Sequence, residues 1–315
     1  MGEEVFGSHQ DVYAEMTRLC LGTVQFGMDY GVQGGTRPAL DDAVQMLDYA
    51  VQNGVDAIDT AAAYGTAEEV VGAFLKRKTV PRDSIQVISK FGTKIFEGAA
   101  PAEYGIRLRD AARVSLERLN TDYLDAYICH VPDAVSDAAI ISAMALLKDS
   151  GLVRHVGFSV YDPEQMRTCL AAEVVDFIQS PYSFLDRRMA TSGALSEAMA
   201  QGVDLHTRSA FVQGLMLMDV EKVPEHLAAT RPIIRDLEAA CADAGLTRRT
   251  LALAYVKANP DISHLVFGVD NLNQLKEIIA DFDKPVDPAA LKSIADRFAA
   301  VDPSIFLPNN WNKKK

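Results

Sequence analysis

Eight short apolar runs punctuate the chain, and between them lie longer stretches in which apolar residues recur every three to four positions. The runs are LCLGT (19–23), VDAIDT (55–60), IQVISK (85–90), YLDAYICH (123–130), RHVGFS (154–159), VDFIQS (175–180), VDLHTRS (203–209) and HLVFG (264–268). Their length and β-branched content predict strands. The stretch DDAVQMLDYAVQNG typifies the intervening pattern: Ala43, Met46, Leu47, Ala50 and Val51 fall at i, i+3, i+4, i+7 and i+8, and Gly54 ends the run. Strands alternating with amphipathic helices predict an α/β fold, a single (β/α)8 TIM barrel domain over residues 1–315. A doubly wound sheet is the competitor, but no GxGxxG follows the first strand. Two segments exceed the repeat: VQGLMLMDVEKVPEHLAATRP after the seventh strand, and a C-terminal helix over about 287–300 with the tail VDPSIFLPNNWNKKK. Loops of that length on a barrel often serve as lids or binding loops.

Composition narrows the function classes. With 49% apolar residues the 315-residue chain can build a substantial core, and 31 Lys and Arg against 43 Asp and Glu give a formal charge of −12. That balance argues against a nucleic-acid or anionic-membrane surface. MGEEVFGSHQDVYAEMTR has no basic start followed by an apolar core, no segment offers eighteen unbroken apolar residues, and Phe6 stands where a myristoylation signal needs Ser or Thr. A cytoplasmic protein is expected. Cys20, Cys129, Cys169 and Cys241 are far apart with no CxxC pair, so buried free thiols are expected rather than a zinc knuckle or disulfides.

The chemistry gathers at the carboxyl ends of the strands, where barrel active sites lie. GVDAIDTAAAYG delivers Asp59 at the end of the second strand, with Tyr64 in the following loop; the third strand ends in Lys90 and the fourth in His130. Taken singly, these residues could be a turn acid, a solvated strand end, a core histidine and a packing phenol. On consecutive strands, they converge. A free tyrosine titrates near about 10. An adjacent ammonium lowers that value, and a paired carboxylate keeps the ammonium charged where water is scarce. Asp59 would hold Lys90, Lys90 would tune Tyr64, and His130 would donate a hydrogen bond to a substrate carbonyl oxygen.

These residues, with LGTVQFG (21–27), DTAAAYG (59–65), SK (89–90) and CH (129–130), resemble the aldo-keto reductase family over nearly the whole chain. The resemblance implies a (β/α)8 barrel that binds a nicotinamide dinucleotide without a Rossmann domain. It also implies a tetrad of Asp59, Tyr64, Lys90 and His130, with Tyr64 as general acid in carbonyl reduction. NADP(H) is the family default.

By the same resemblance, the cofactor sites begin with Gly22 and Thr23 on the first strand. GFSVYDPEQM places Ser159 at the nicotinamide carboxamide, with Val160 where the family has an amide, and Gln179 in FIQSPYS also reaches that group. In HTRSAFVQGL, Arg208 stands where an aromatic platform is common, to contact a phosphate or flank the ring, and Ser209, Phe211, Gln213 and Gly214 continue the pyrophosphate lining. In FGVDNLNQLKEII, Gly268, Asn271, Gln274 and Glu277 fit the adenine end, while Ile278 replaces an asparagine. Asp270 would repel a ribose 2′-phosphate yet accept from a free 2′-hydroxyl, which makes NAD(H) an alternative; it could instead cap the last helix of the repeat.

Other arrangements carry little. Cys129 and His130 alternate on one strand and cannot form a dyad. No GxSxG or HExxH occurs, and GVQGG (31–35) lacks the Lys-Ser/Thr of a phosphate loop and reads as a flexible turn. Phe26, Met28, Tyr30, Phe91, Phe306 and Trp311 are candidate pocket walls, several of which must simply be core, and Met216 and Met218 are candidates for a closing lid or, equally, for ordinary packing against the barrel. The leading expectation is an NAD(P)H-dependent reductase of a small-molecule aldehyde, ketone or sugar. The alternatives are a cofactor-binding regulatory subunit with little turnover, and a Schiff-base lyase using Lys90.

Overall fold

The computed structural model describes residues 17–32, 35, 37–307, 310 and 311. Most of the N-terminal segment, part of GVQGG and the end of the tail lie outside the described residues. All eight apolar runs form strands: β1 (Arg18–Gly22), β2 (Ala57–Asp59), β3 (Gln86–Phe91), β4 (Leu124–Cys129), β5 (Val153–Ser159), β6 (Phe177–Pro181), β7 (Asp204–Arg208) and β8 (His264–Gly268). They pair in chain order as a closed parallel barrel, with β8 returning to β1 from Arg18↔His264 to Gly22↔Gly268. The (β/α)8 expectation holds.

Alternation along each strand divides the interior. One set of side chains faces the lumen, where Cys20, Ala57, Ile88, Ala126, Ile128, Phe177 and Val266 form an apolar plug. Gly157 lets β5 approach the β6 backbone closely: a Cβ there would lie 1.6 Å from the Phe177 carbonyl oxygen. The opposite set, including Leu21, Ile58, Val87, Cys129 and Val156, packs under the helices. In the helix Leu40–Gln52, the predicted apolar stripe buries Ala43, Met46, Leu47 and Ala50, with Val44 added and Val51 half-covered.

The long segment after β7 builds a second core. Leu215 and Met216 pack with Ile234 and Leu237 of the helix Arg231–Asp243, Leu251 of the helix Arg248–Lys257, and Phe298, Phe306 and Trp311. The C-terminal helix runs Pro288–Arg297, within the expected span and started by Asp287, whose carboxylate accepts from Ala289 N–H. All four cysteines are buried and free, and no described helix is long and apolar enough to cross a membrane.

Candidate active site

Three neighbouring strands bring the expected residues to one rim. Asp59 ends β2, Lys90 is the penultimate residue of β3, and His130 follows β4. Tyr64 is held by the turn that leads into the helix Ala67–Lys76: its N–H donates to Ala61 O at 3.0 Å, and its carbonyl accepts from Ala67 N–H at 3.1 Å. Two glycines let this turn meet the loop after β1. A Cβ on Gly27 would lie 1.7 Å from Tyr64 O, and one on Gly65, at φ +60°, would lie 2.3 Å from Gly27 O.

The polar groups form one connected set. Lys90 Nζ lies 2.7 and 2.6 Å from the two Asp59 oxygens, 2.9 Å from Thr60 O and 3.4 Å from Tyr64 Oη. Gln179 Nε2 donates to Asp59 Oδ1 at 2.8 Å. The Tyr64 and His130 rings meet edge-on with centroids 5.6 Å apart. Burial works against the Lys90 charge, but Asp59 and Tyr64 outweigh it and hold the ammonium above its ordinary value. Burial and the Lys90 charge push His130 down to about 4, so its imidazole is neutral at pH 7.

Tyr64 departs from the sequence expectation. Burial raises its pKa, Lys90 pulls it back, and the balance stays above the ordinary phenol value. The lowering by Lys90 is present but outweighed by desolvation.

These groups open into a cleft of about 1010 Å³ whose lining includes Asp59, Tyr64 and His130. Gly22, Thr23, Gln179 and Arg208 line it near the strand ends. Ser209, Phe211, Gln213 and Gly214 extend the wall in one direction, and Gly268, Asp270, Gln274, Glu277 and Ile278 in another. Ser159 is buried and is not part of the lining, and Val160 packs in the core under the helices. The Arg208 guanidinium stacks 4.5 Å from the Tyr161 ring centroid and donates to Val160 O at 3.2 Å. The cap of the helix Leu272–Phe282 is Asn271, which accepts from Gln274 N–H at 3.0 Å; Asp270 precedes it, and its own N–H donates to the Gln274 side chain at 2.8 Å.

Of the candidate pocket walls, Tyr30 lines the cleft, Phe306 lines it while packing in the second core, Met28 is exposed outside the lining, and Phe26, Phe91 and Trp311 belong to the cores. Met216 and Met218 are both core, and Met218 also reaches the lining. The GVQGG turn does more than reverse the chain. Val32 N–H donates to Gln213 O at 3.4 Å, and a Cβ on Gly35 would lie 3.0 Å from Asp270 Oδ1, so this loop touches both walls.

Sequence reasoning passed over Gln25, Tyr161 and Arg249, which also line the cleft. Gln25 stands inside the LGTVQFG motif, and its buried Oε1 has no hydrogen-bond partner among the described residues. Tyr161 follows β5 by two positions, a place where cleft contacts are expected. Arg249 carried no linear signal; it pairs with Glu277 at 2.7 Å and Asp281 at 2.5 Å.

Known proteins resemble the chain in sequence and in fold. The chain is 27% identical over 262 residues to the NADH-specific methylglyoxal reductase of Escherichia coli K12, covering 72% of this chain and 78% of that one. It is 26% identical over 322 residues to a probable voltage-gated potassium channel subunit beta of rice, covering 92% and 96%. The fold matches a holo-form aldo-keto reductase of Bacillus halodurans with TM-score 0.72 at 23% identity, covering 90% and 92%. It also matches a Klebsiella pneumoniae aldo-keto reductase in complex with NADPH, with TM-score 0.67 at 22% identity, covering 89% and 90%. The family model of the aldo/keto reductases matches residues 18–297, from β1 through the C-terminal helix, and the chain therefore belongs to this family of oxidoreductases that use NADP(H) or NAD(H).

Proposed function

We propose that the protein reduces the carbonyl of a small aldehyde, ketone or sugar with a nicotinamide dinucleotide as reductant and Tyr64 as proton donor. The observation that carries this reading is the Asp59–Lys90–Tyr64 hydrogen-bonded chain opening into the cleft beside a neutral His130. Asp59 keeps the buried Lys90 charged, and Lys90 offsets part of the desolvation that holds the Tyr64 proton. His130 donates a ring N–H to the substrate oxygen and orients it toward the phenol.

The cleft residues fit the cofactor. A bound nicotinamide supplies the hydride for the carbonyl carbon. Gln179 and Gln25, whose Oε1 has no partner among the described residues, offer side-chain amide contacts. Ser209, Val212 and Gln213 take left-handed φ values of 69°, 52° and 53°, with Gly214 at 87°. Such backbone is costly for a β-branched residue and persists where a site demands it. We read residues 209–214 as the pyrophosphate cradle, with Arg208 beside it.

At the adenine end, Asp270 and Glu277 line the cleft, and Arg249 is already engaged by Glu277 and Asp281. The Arg249 charge is thus offset by two carboxylates, and Asp270 adds a negative charge, which favours a free ribose 2′-hydroxyl over a 2′-phosphate. NADH is therefore the preferred reductant in this reading. The Escherichia coli relative named for methylglyoxal makes a 2-oxoaldehyde a sound first substrate to assay. With reduced thiols and a small-molecule substrate, the enzyme would work in the cytoplasm.

A Schiff-base lyase fits less well, because Lys90 is buried, charged and bonded to Asp59 and Thr60. A regulatory subunit with little turnover would have no need of the intact tetrad. Calorimetric titration with NADH and NADPH at fixed salt tests the cofactor reading. Tighter NADH binding supports it; binding of neither would overturn it.

A further inference from the structure

A second polar cluster lies at the opposite end of the barrel, where the strands begin. His206 and His264 are direct register partners on β7 and β8, so both imidazoles point to the same face of the sheet. Their ring centroids are 4.2 Å apart, and both residues are 0% exposed. Asp204, two positions before His206, belongs to the same strand face. One ligand atom from each of Asp204, His206 and His264 falls within 4.8 Å of the other two.

The hydrogen bonding leaves this cluster incomplete. Nδ1 of His206 and Nδ1 of His264 have no hydrogen-bond partner among the described residues, and His206 Nε2 has only the Asp204 carboxylate at 3.5 Å. Buried imidazole nitrogens are rarely left so. His264 Nε2 lies 3.2 Å from Asp56 Oδ1, which places the proton on Nε2 and leaves the Nδ1 lone pair free. A carboxylate behind a histidine in this way is the usual support of a metal-bound imidazole. Asp204 has its own support, since Ser263 Oγ donates to its carboxylate.

We propose that Asp204, His206 and His264 form a binding site for a divalent transition-metal ion, best suited to Zn²⁺. Two imidazoles and one carboxylate match a borderline ion and not Mg²⁺ or Ca²⁺, which take oxygen ligands. His206 Nε2 and Asp204 Oδ1 are 3.5 Å apart, close to the ~3.3 Å that separates two ligands on one tetrahedral zinc. The His264 ligand atom lies within 4.8 Å of the other two, and binding the ion would draw it in further. Water would take the fourth position, on the side where Asp204 and Asp56 are partly exposed, at 24% and 30% of their side chains.

The site has a structural consequence. The β7–β8 register contains two residue pairs, His206↔His264 and Thr207↔Leu265, against five between β8 and β1. A metal ion on His206 and His264 would cross-link the neighbouring strands that share the fewest register pairs. Neither histidine lines the active-site cleft, so the site stands or falls independently of the catalytic reading.

The test uses the full chain stripped with a chelator, then titrated with Co²⁺ and Zn²⁺. The expected result is one equivalent of Co²⁺ with the intense d–d absorption of a tetrahedral ion, displaced by Zn²⁺, and a rise in thermal midpoint with Zn²⁺. His206→Gln should abolish the Co²⁺ spectrum while NADH binding at the other end is kept. Asp56→Asn should weaken Zn²⁺ binding about 10–100-fold by removing the support of His264. Wild-type protein that takes up no Co²⁺, or a tetrahedral spectrum unchanged in His206→Gln, would overturn the proposal. Because the wild-type titration decides the first point, a variant that fails to fold leaves the test intact.

Discussion

Lys90 Nζ sits 2.6 Å from Asp59 Oδ2, with the two side chains 0% and 5% exposed. The pair is a buried ion pair at the foot of the cleft, and it couples the fold to the chemistry. Each charge is tolerated only because the other is present.

Breaking the pair from one side therefore costs more than removing both charges. Asp59→Asn should destabilise the protein by about 3–5 kcal/mol, because it leaves a buried ammonium without its counter-charge. The double variant Asp59→Asn, Lys90→Met should recover part of that loss. Urea denaturation of the single and double variants checks the order.

Gly27 and Gly65 position Tyr64 without touching any reacting atom. Gly27→Ala places a methyl into Tyr64 O and should move the turn, destabilising the protein by about 1–3 kcal/mol. Turnover should fall more than the midpoint shift explains, and a steady-state assay beside a thermal melt separates the two effects.

The pH dependence follows from His130. Its pKa falls from 6.5 to about 4 on folding, so between those values the unfolded chain binds more protons. The His130 contribution to stability is complete above pH 6.5 and is lost as pH falls toward 4. His130→Gln, which cannot protonate, should narrow the difference in urea midpoint between pH 7 and pH 4.5. Equal narrowing in a surface variant would remove His130 from the explanation.

Cofactor choice rests on Asp270 in this account. Asp270→Ser should improve NADPH binding relative to NADH by about fivefold, the effect of one exposed charge near a phosphate. A ratio of dissociation constants that does not move would take Asp270 out of the discrimination.

Much of this was legible in the sequence. All eight strands stood out as apolar runs, because a barrel strand buries both faces and leaves a compact signature. Asp59, Lys90 and His130 were readable because strand ends and barrel closure determine which residues meet. Other features depended on depth and distance. The net rise in the Tyr64 pKa comes from burial, which spacing does not reveal. Asp270 and Asn271 are equally good caps on paper, and the geometry of one turn selects Asn271. Phe91 and Trp311 looked like pocket walls, but the lateral helices and the strand pleat turn them into core. His206 and His264 gave no motif at all, since only closure of β7 against β8 brings them together.

The central claim is that Tyr64 delivers the proton. The most direct measurement is steady-state oxidation of NADH with a panel of small aldehydes and ketones, comparing wild type with Tyr64→Phe. The account predicts a fall in turnover of about 10²–10⁴-fold in the variant with NADH affinity nearly unchanged. Turnover within a few-fold of wild type would contradict it.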